Sequence, residues 1–168
     1  MTTYYAQPYD ISAAGFYFES AASYLAKIDT IINDYGDHVE EFEIQFIDGE
    51  TIDANLSNAI GMYQSTILNV MACIDDWESE QKLKVIIAVG ECGYSFDVKS
   101  SVPEDFEIDL YADMTLNDLA YIFVDEGMFG DIPANVISYL DFEAIARDLG
   151  HDYTETTIAG VNYVYRCE

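Results

Sequence analysis

Thirty-two acidic side chains stand against six basic ones (Lys27, Lys82, Lys84, Lys99, Arg147 and Arg166), a formal net charge of −26 over 168 residues. Nothing else in the sequence constrains the fold as strongly. Asp and Glu are almost never fully buried unless paired, so the carboxylates belong on faces open to water, where they repel one another. Two carboxylates about 6 Å apart in water repel by roughly 0.7 kcal/mol before screening. Solubility alone is a thin reason to carry so many. A field of this sign repels nucleic acid and anionic membrane surfaces and attracts basic proteins or cations. Direct binding to nucleic acid or to membranes is not expected.

The chain still reads as folded. Disordered acidic chains are poor in aromatic and β-branched residues, whereas this one has 14 Tyr and 9 Phe and is 51% hydrophobic. Its length suffices for one sizeable core or for two or three small ones. The expected fold class is α+β, elongated, in three small modules.

Residues 1–56 form the expected N-terminal α+β module. Thr2 to Ala6 and Gly15 to Glu19 read as strands, rich in Tyr and Phe. From Ser20 to Asp34, Tyr24, Leu25, Ile28, Ile31 and Ile32 fall on one helical face, with Gly36 as the stop. Glu40 to Asp48 then alternates strictly, Phe42, Ile44 and Phe46 inward and Glu41, Glu43 and Gln45 outward.

Residues 57–103 form a mainly helical middle module. A helix is expected from near Ser57, carrying Ile60, Tyr63, Ile67, Val70, Met71 and Ile74. The run Lys82 to Gly90 fits either a buried strand or a helix. A helix from Asp76 is preferred, because Trp77, Leu83, Ile86 and Ile87 can share a face.

Residues 104–168 form the C-terminal α+β module. Phe106 to Tyr111 alternates, with Glu107 and Asp109 outward. Thr115 is a good N-cap with Asp118 three residues on, and Leu116, Leu119, Ala120 and Phe123 make the helical stripe that Gly127 ends. Pro133 suits the first turn of another helix. Phe142, Ile145, Ala146 and Leu149 form a further stripe, ended by Gly150, and the tail reads as two short strands around Ala159 and Gly160. Arg147 is expected to pair with Glu143 one turn earlier. Charge is uneven: the three modules carry −10, −3 and −13.

Carboxylates thus occupy the polar face of nearly every expected element. On a strand, Glu41/Glu43 or Glu107/Asp109 lie roughly 6.6 Å apart. Duplex DNA carries one charge per roughly 1.7 Å of axis, so this net charge matches the phosphates of about 13 base pairs.

The segment Asp118 to Gly150, DLAYIFVDEGMFGDIPANVISYLDFEAIARDLG, resembles the C-terminal region of the ArdA antirestriction proteins. The likeness rests on Asp125, Glu126 and Gly127 ending a helix, Gly130 followed by Asp131, Ile132 and Pro133, then Tyr139 and Asp141, then Ala146 to Leu149. A weaker likeness runs through GFYFES and EEFEIQFID; the middle third matches in length and helical tendency only. The resemblance implies an elongated α+β homodimer whose carboxylates imitate the phosphates of bent DNA and occupy the DNA groove of type I restriction–modification enzymes. Dimerisation is expected through the C-terminal third. The residues expected to imitate phosphates are Glu41, Glu43, Glu107, Asp109, Asp118, Asp125, Glu126, Asp131, Asp141, Asp148 and Asp152. The weakly acidic run KLKVIIAVGECG departs from a continuous charged stripe.

Two other readings compete: an acidic binding module for a different basic protein, and an ordinary domain adapted to high salt. Enzyme readings fare poorly. HExxH, P-loop, GxGxxG and GxSxG patterns are missing, as is any metal-ligand Cys/His spacing, and His38 and His151 stand alone. The acids Asp105, Glu107, Asp109 and Asp113 cluster without the order of a calcium-binding loop. No catalytic residue, metal or cofactor is expected. The N-terminus lacks a basic start and an apolar run, and no stretch approaches the ~18 apolar residues of a membrane span. A cytoplasmic setting is expected.

Overall fold

In the computed structural model, which describes residues 1–167, β1 (Thr3–Pro8) is the centre of an antiparallel sheet between β2 (Phe16–Phe18) and β3 (Phe42–Asp48). Tyr4 faces Phe18 on one side and Phe46 on the other. The alternation of β1 and β3 sends Tyr4, Ala6, Phe42 and Ile44 into the core. Rings then fill it: Tyr4 stacks on Phe18 at 5.3 Å, and Phe18 meets Tyr24 of α1 (Ala21–Ile28) at 4.8 Å.

Helix α1 is shorter than its apolar pattern predicts. Leu25 and Ile32 are more than half exposed, and Ile31 and Ile32 lie beyond the helix. The cause is local. Asn33 uses its side-chain oxygen to accept from the backbone N–H groups of Tyr35 and Asp37, and its amide donates to Asp10. That turn competes with helix, and the β-branched pair Ile31–Ile32 propagates one poorly.

The helix expected from near Ser57 is two helices, α2 (Thr51–Ile60) and α3 (Ile67–Asp76). Gly61 takes φ +75 at the end of α2, a conformation that glycine adopts without strain. Tyr63 is consequently exposed. The ambiguous run is helical: α4 (Ser79–Val85) continues into a π-helical turn, Ile86–Glu91. Trp77 does not join that face; it terminates α3 and its ring meets Phe96. A 3-10 turn, Pro103–Asp105, follows.

The second sheet has the order β4 (Ile108–Ala112), β6 (Val161–Cys167), β5 (Thr154–Ile158), all antiparallel. Its core gathers Leu119, Ala120 and Phe123 of α5 (Leu116–Asp125), Leu149 of α7 (Phe142–Leu149), Tyr153 and Val164. The stripes expected for α5 and α7 are the ones that face this core, with Leu116, Phe142, Ile145 and Ala146 half-buried against it. Between them lies the short α6 (Ala134–Ile137), with Pro133 at its start. The tail strands form a hairpin with Ala159 and Gly160 at its tip, both at positive φ, as a two-residue turn requires.

The architecture is α+β. The chain divides into two compact units, Met1–Phe106 and Glu107–Glu168. The 56/57 boundary read from sequence lies inside α2, and the 103/104 boundary lies in the turn just before the division.

Candidate functional site: a surface of carboxylates

Each carboxylate owes its place to ordinary local structure. At the edge strand β3, the Gln64 side chain donates to the Glu40 carbonyl and accepts from the Phe42 N–H. This clamp holds Glu41 outward between them, and Glu43 follows on the same face; both are exposed. Glu107 is exposed just before β4. Asp118 is exposed in the first turn of α5, and Asp125 and Glu126 at its last turn and C-cap. Asp131 lies in the exposed loop before α6. Asp141 caps α7, accepting from the Ala144 N–H at 3.0 Å, while Asp148 and Asp152 are exposed at and beyond its far end.

Among the described residues, all Asp and Glu side chains are exposed except Asp10 and Asp109, which are half-buried, and Asp53, which is buried. The cations hardly offset them. Two ion pairs occur among the described residues: Lys82 with Asp53, and Arg166 with Asp109, each at 2.6 Å. Asp109 is therefore not the free outward acid that strand alternation implies, because cross-strand pairing sets it directly opposite Arg166. Arg147 does not pair with Glu143; among the described residues it makes no ion pair, and it lies exposed beside an apolar hollow shared with Glu143 and Glu155.

Several acids accept local hydrogen bonds. The Thr115 hydroxyl and N–H both donate to Asp118, which keeps its carboxyl below the usual range. Asp10, bound by Asn33 and Ser12, is lowered likewise, as are Asp97, bound by the Lys99 N–H and Ser100, and Glu104, bound by Gln81. These groups stay ionised at neutral pH.

Helix ends show a field built against the fold's own preference. Acids stabilise a helix N-terminus and destabilise its C-terminus. Asp118 and Glu155, which accepts from the Leu116 N–H, obey this at the start of α5. Asp125 and Glu126 violate it at the other end, as Asp75 and Asp76 do at the end of α3. There the carboxylates and the negative end of the helix dipole sum to a concentrated negative potential.

Sequence reading passed over one concavity. Tyr121 lies off the buried stripe of α5 and stacks on Phe142 of α7 at 3.9 Å, with planes 16° apart. The two rings border an open groove of about 470 Å³ with Ile122, Ile137, Asp125 and Glu126. An aromatic on the polar side of an otherwise regular helix was the available signal. Among the described residues, no three His, Cys, Asp or Glu side chains come together as metal ligands, and no helix is long and apolar enough to cross a membrane.

Exposed, ionised acids with few compensating cations give each unit a strongly negative field, which attracts basic groups. The family described as antirestriction protein (ArdA) matches residues 10–163, and the chain belongs to that family. Antirestriction, directed at restriction–modification enzymes, is the function this membership implies. Among curated proteins, none matches the chain.

Proposed function

We propose that this chain is a DNA mimic that occupies the DNA groove of type I restriction–modification enzymes. The observation that carries this reading is the near-complete exposure of the carboxylates, with so few paired to cations. Its chemistry is electrostatic. Lys and Arg side chains that normally meet phosphates meet carboxylates instead, and both surfaces release counterions, as in DNA binding. Glu41, Glu43, Glu107, Asp118, Asp125, Glu126, Asp131, Asp141, Asp148 and Asp152 stand in for phosphates. Asp109 contributes least, because Arg166 offsets its charge.

The active species is a homodimer joined through the C-terminal unit, in the cytoplasm. Met128, Phe129, Val136 and Tyr139 are exposed within one short stretch there, an apolar surface that a two-fold contact would cover. The test is competition between this protein and duplex DNA for a purified type I methyltransferase core. Mutually exclusive binding supports the reading; a ternary complex with DNA refutes it.

A further inference from the structure

The groove beside Tyr121 is unlike the rest of the acidic surface, because it joins apolar walls, stacked rings and carboxylates in one place. We propose that it is an anchor slot for a single arginine side chain of the basic partner. This rests on the DNA-mimic reading only in taking that partner to be the target enzyme.

The chemistry of the lining selects the occupant. Ile122 and Ile137 offer apolar surface to a side-chain stem, and the half-exposed Tyr121 ring, stacked on Phe142 across one face, offers aromatic surface to a planar group. Asp125 and Glu126 line the same groove at the C-terminal end of α5, where helix carbonyls add negative potential. A planar guanidinium can stack on an aromatic face while its N–H fork meets carboxylates, and it is more weakly hydrated than an ammonium. Lysine meets the charge requirement and not the planar one. A neutral apolar side chain leaves both carboxylates without a partner. The slot would supply what a phosphate array lacks, a short-range contact that salt screens weakly.

Two measurements on the full chain test this. In the first, the isotopically labelled protein is titrated with N-acetyl-arginine amide and, separately, with its neutral isostere N-acetyl-citrulline amide. The expected result is amide shift changes concentrated at residues 121–126 and at Ile137, with citrulline about tenfold weaker. Tyr121→Ala should abolish the response and Tyr121→Phe should keep it, which separates loss of the ring from loss of the fold. Equal responses to both probes, or arginine shifts spread over all exposed acids, would overturn the slot. In the second, Tyr121→Ala is compared with wild type in competition with DNA for the methyltransferase core. A loss of about tenfold is expected, with little change in salt slope. If wild type competes and Tyr121→Ala competes equally well, the slot is wrong and the mimicry stands. If the arginine probe fills the groove and wild type does not compete, the mimicry is wrong and the slot stands. A halved mass for Tyr121→Ala by light scattering would assign the groove to a second copy of the chain and overturn the proposal.

Discussion

Lys82 Nζ lies 2.6 Å from Asp53 Oδ1, and both side chains are buried, joining α4 to α2. In a chain that leaves almost every other carboxylate in water, this pair belongs to the core. Removing one partner strands the other charge in a low-dielectric site, at a cost of ~3–5 kcal/mol, whereas replacing both by apolar groups of similar size is often neutral.

Lys82→Met should therefore lower unfolding free energy by about 3–5 kcal/mol in urea titration, and Lys82→Met with Asp53→Leu should recover most of it. The folded double variant should inhibit as wild type does, because neither residue faces a partner. A single-variant loss below about 1 kcal/mol would mean that water reaches the pair.

Thr115 and Asp118 close the first turn of α5 reciprocally. Thr115→Ala should cost ~0.5–2 kcal/mol and also release Asp118 from its hydrogen-bonded position. Thermal unfolding reads the first effect. Titration of the Asp118 carboxyl by NMR should show its pKa moving up toward the ordinary value.

Four lowered carboxyls, Asp10, Asp97, Glu104 and Asp118, contribute to the acid side of the stability curve. A carboxyl whose folded pKa lies below its unfolded value binds fewer protons in the native state. It adds stability above the unfolded pKa, about 4 for these residue types, and loses it as pH falls through the folded pKa. Their contribution should be constant from about pH 8 to 5, begin to fall near pH 4 and be gone only below the lowered folded pKa values. Replacing all four by Asn or Gln should flatten that acid limb in thermal scans; an unchanged limb would place its origin elsewhere. Added salt should raise the midpoint at neutral pH, because repulsion among the exposed acids is screened.

Much of this was legible from residues alone. The stripes of α5 and α7, the Thr115 cap and the Ala159–Gly160 turn each rest on short-range chemistry, and each stands where the pattern put it. The failures have tertiary or side-chain causes. Ile31 and Ile32 fit a helical face, yet the Asn33 amide supplies a competing turn. Asp109 alternates correctly on β4, yet only the pairing of β4 with β6 sets Arg166 opposite it. The buried Lys82–Asp53 pair joins residues far apart in sequence, and no local pattern announces it. Net charge made the exposed acids readable as a class, whereas the groove beside Tyr121 and Phe142 needs α5, α6 and α7 brought together.

Inhibition distributed over a phosphate-like array of carboxylates should erode by degrees as those acids are neutralised. Inhibition constants against the methyltransferase core would be measured at several salt concentrations. The set comprises wild type, Glu107→Gln, Asp148→Asn, and a combined variant neutralising Glu41, Glu43, Glu107, Asp131, Asp148 and Asp152. An exposed ion pair is worth only ~0.2–1 kcal/mol, so each single change should weaken inhibition by a few-fold. The combined change should weaken it by about a hundredfold or more, because small terms at separated sites add. The slope of log affinity against log salt should match that of duplex DNA on the same enzyme and shrink in the combined variant. A single Glu107→Gln or Asp148→Asn change that abolishes inhibition in a folded protein, or a salt slope near zero in wild type, would rule out a distributed phosphate-like array.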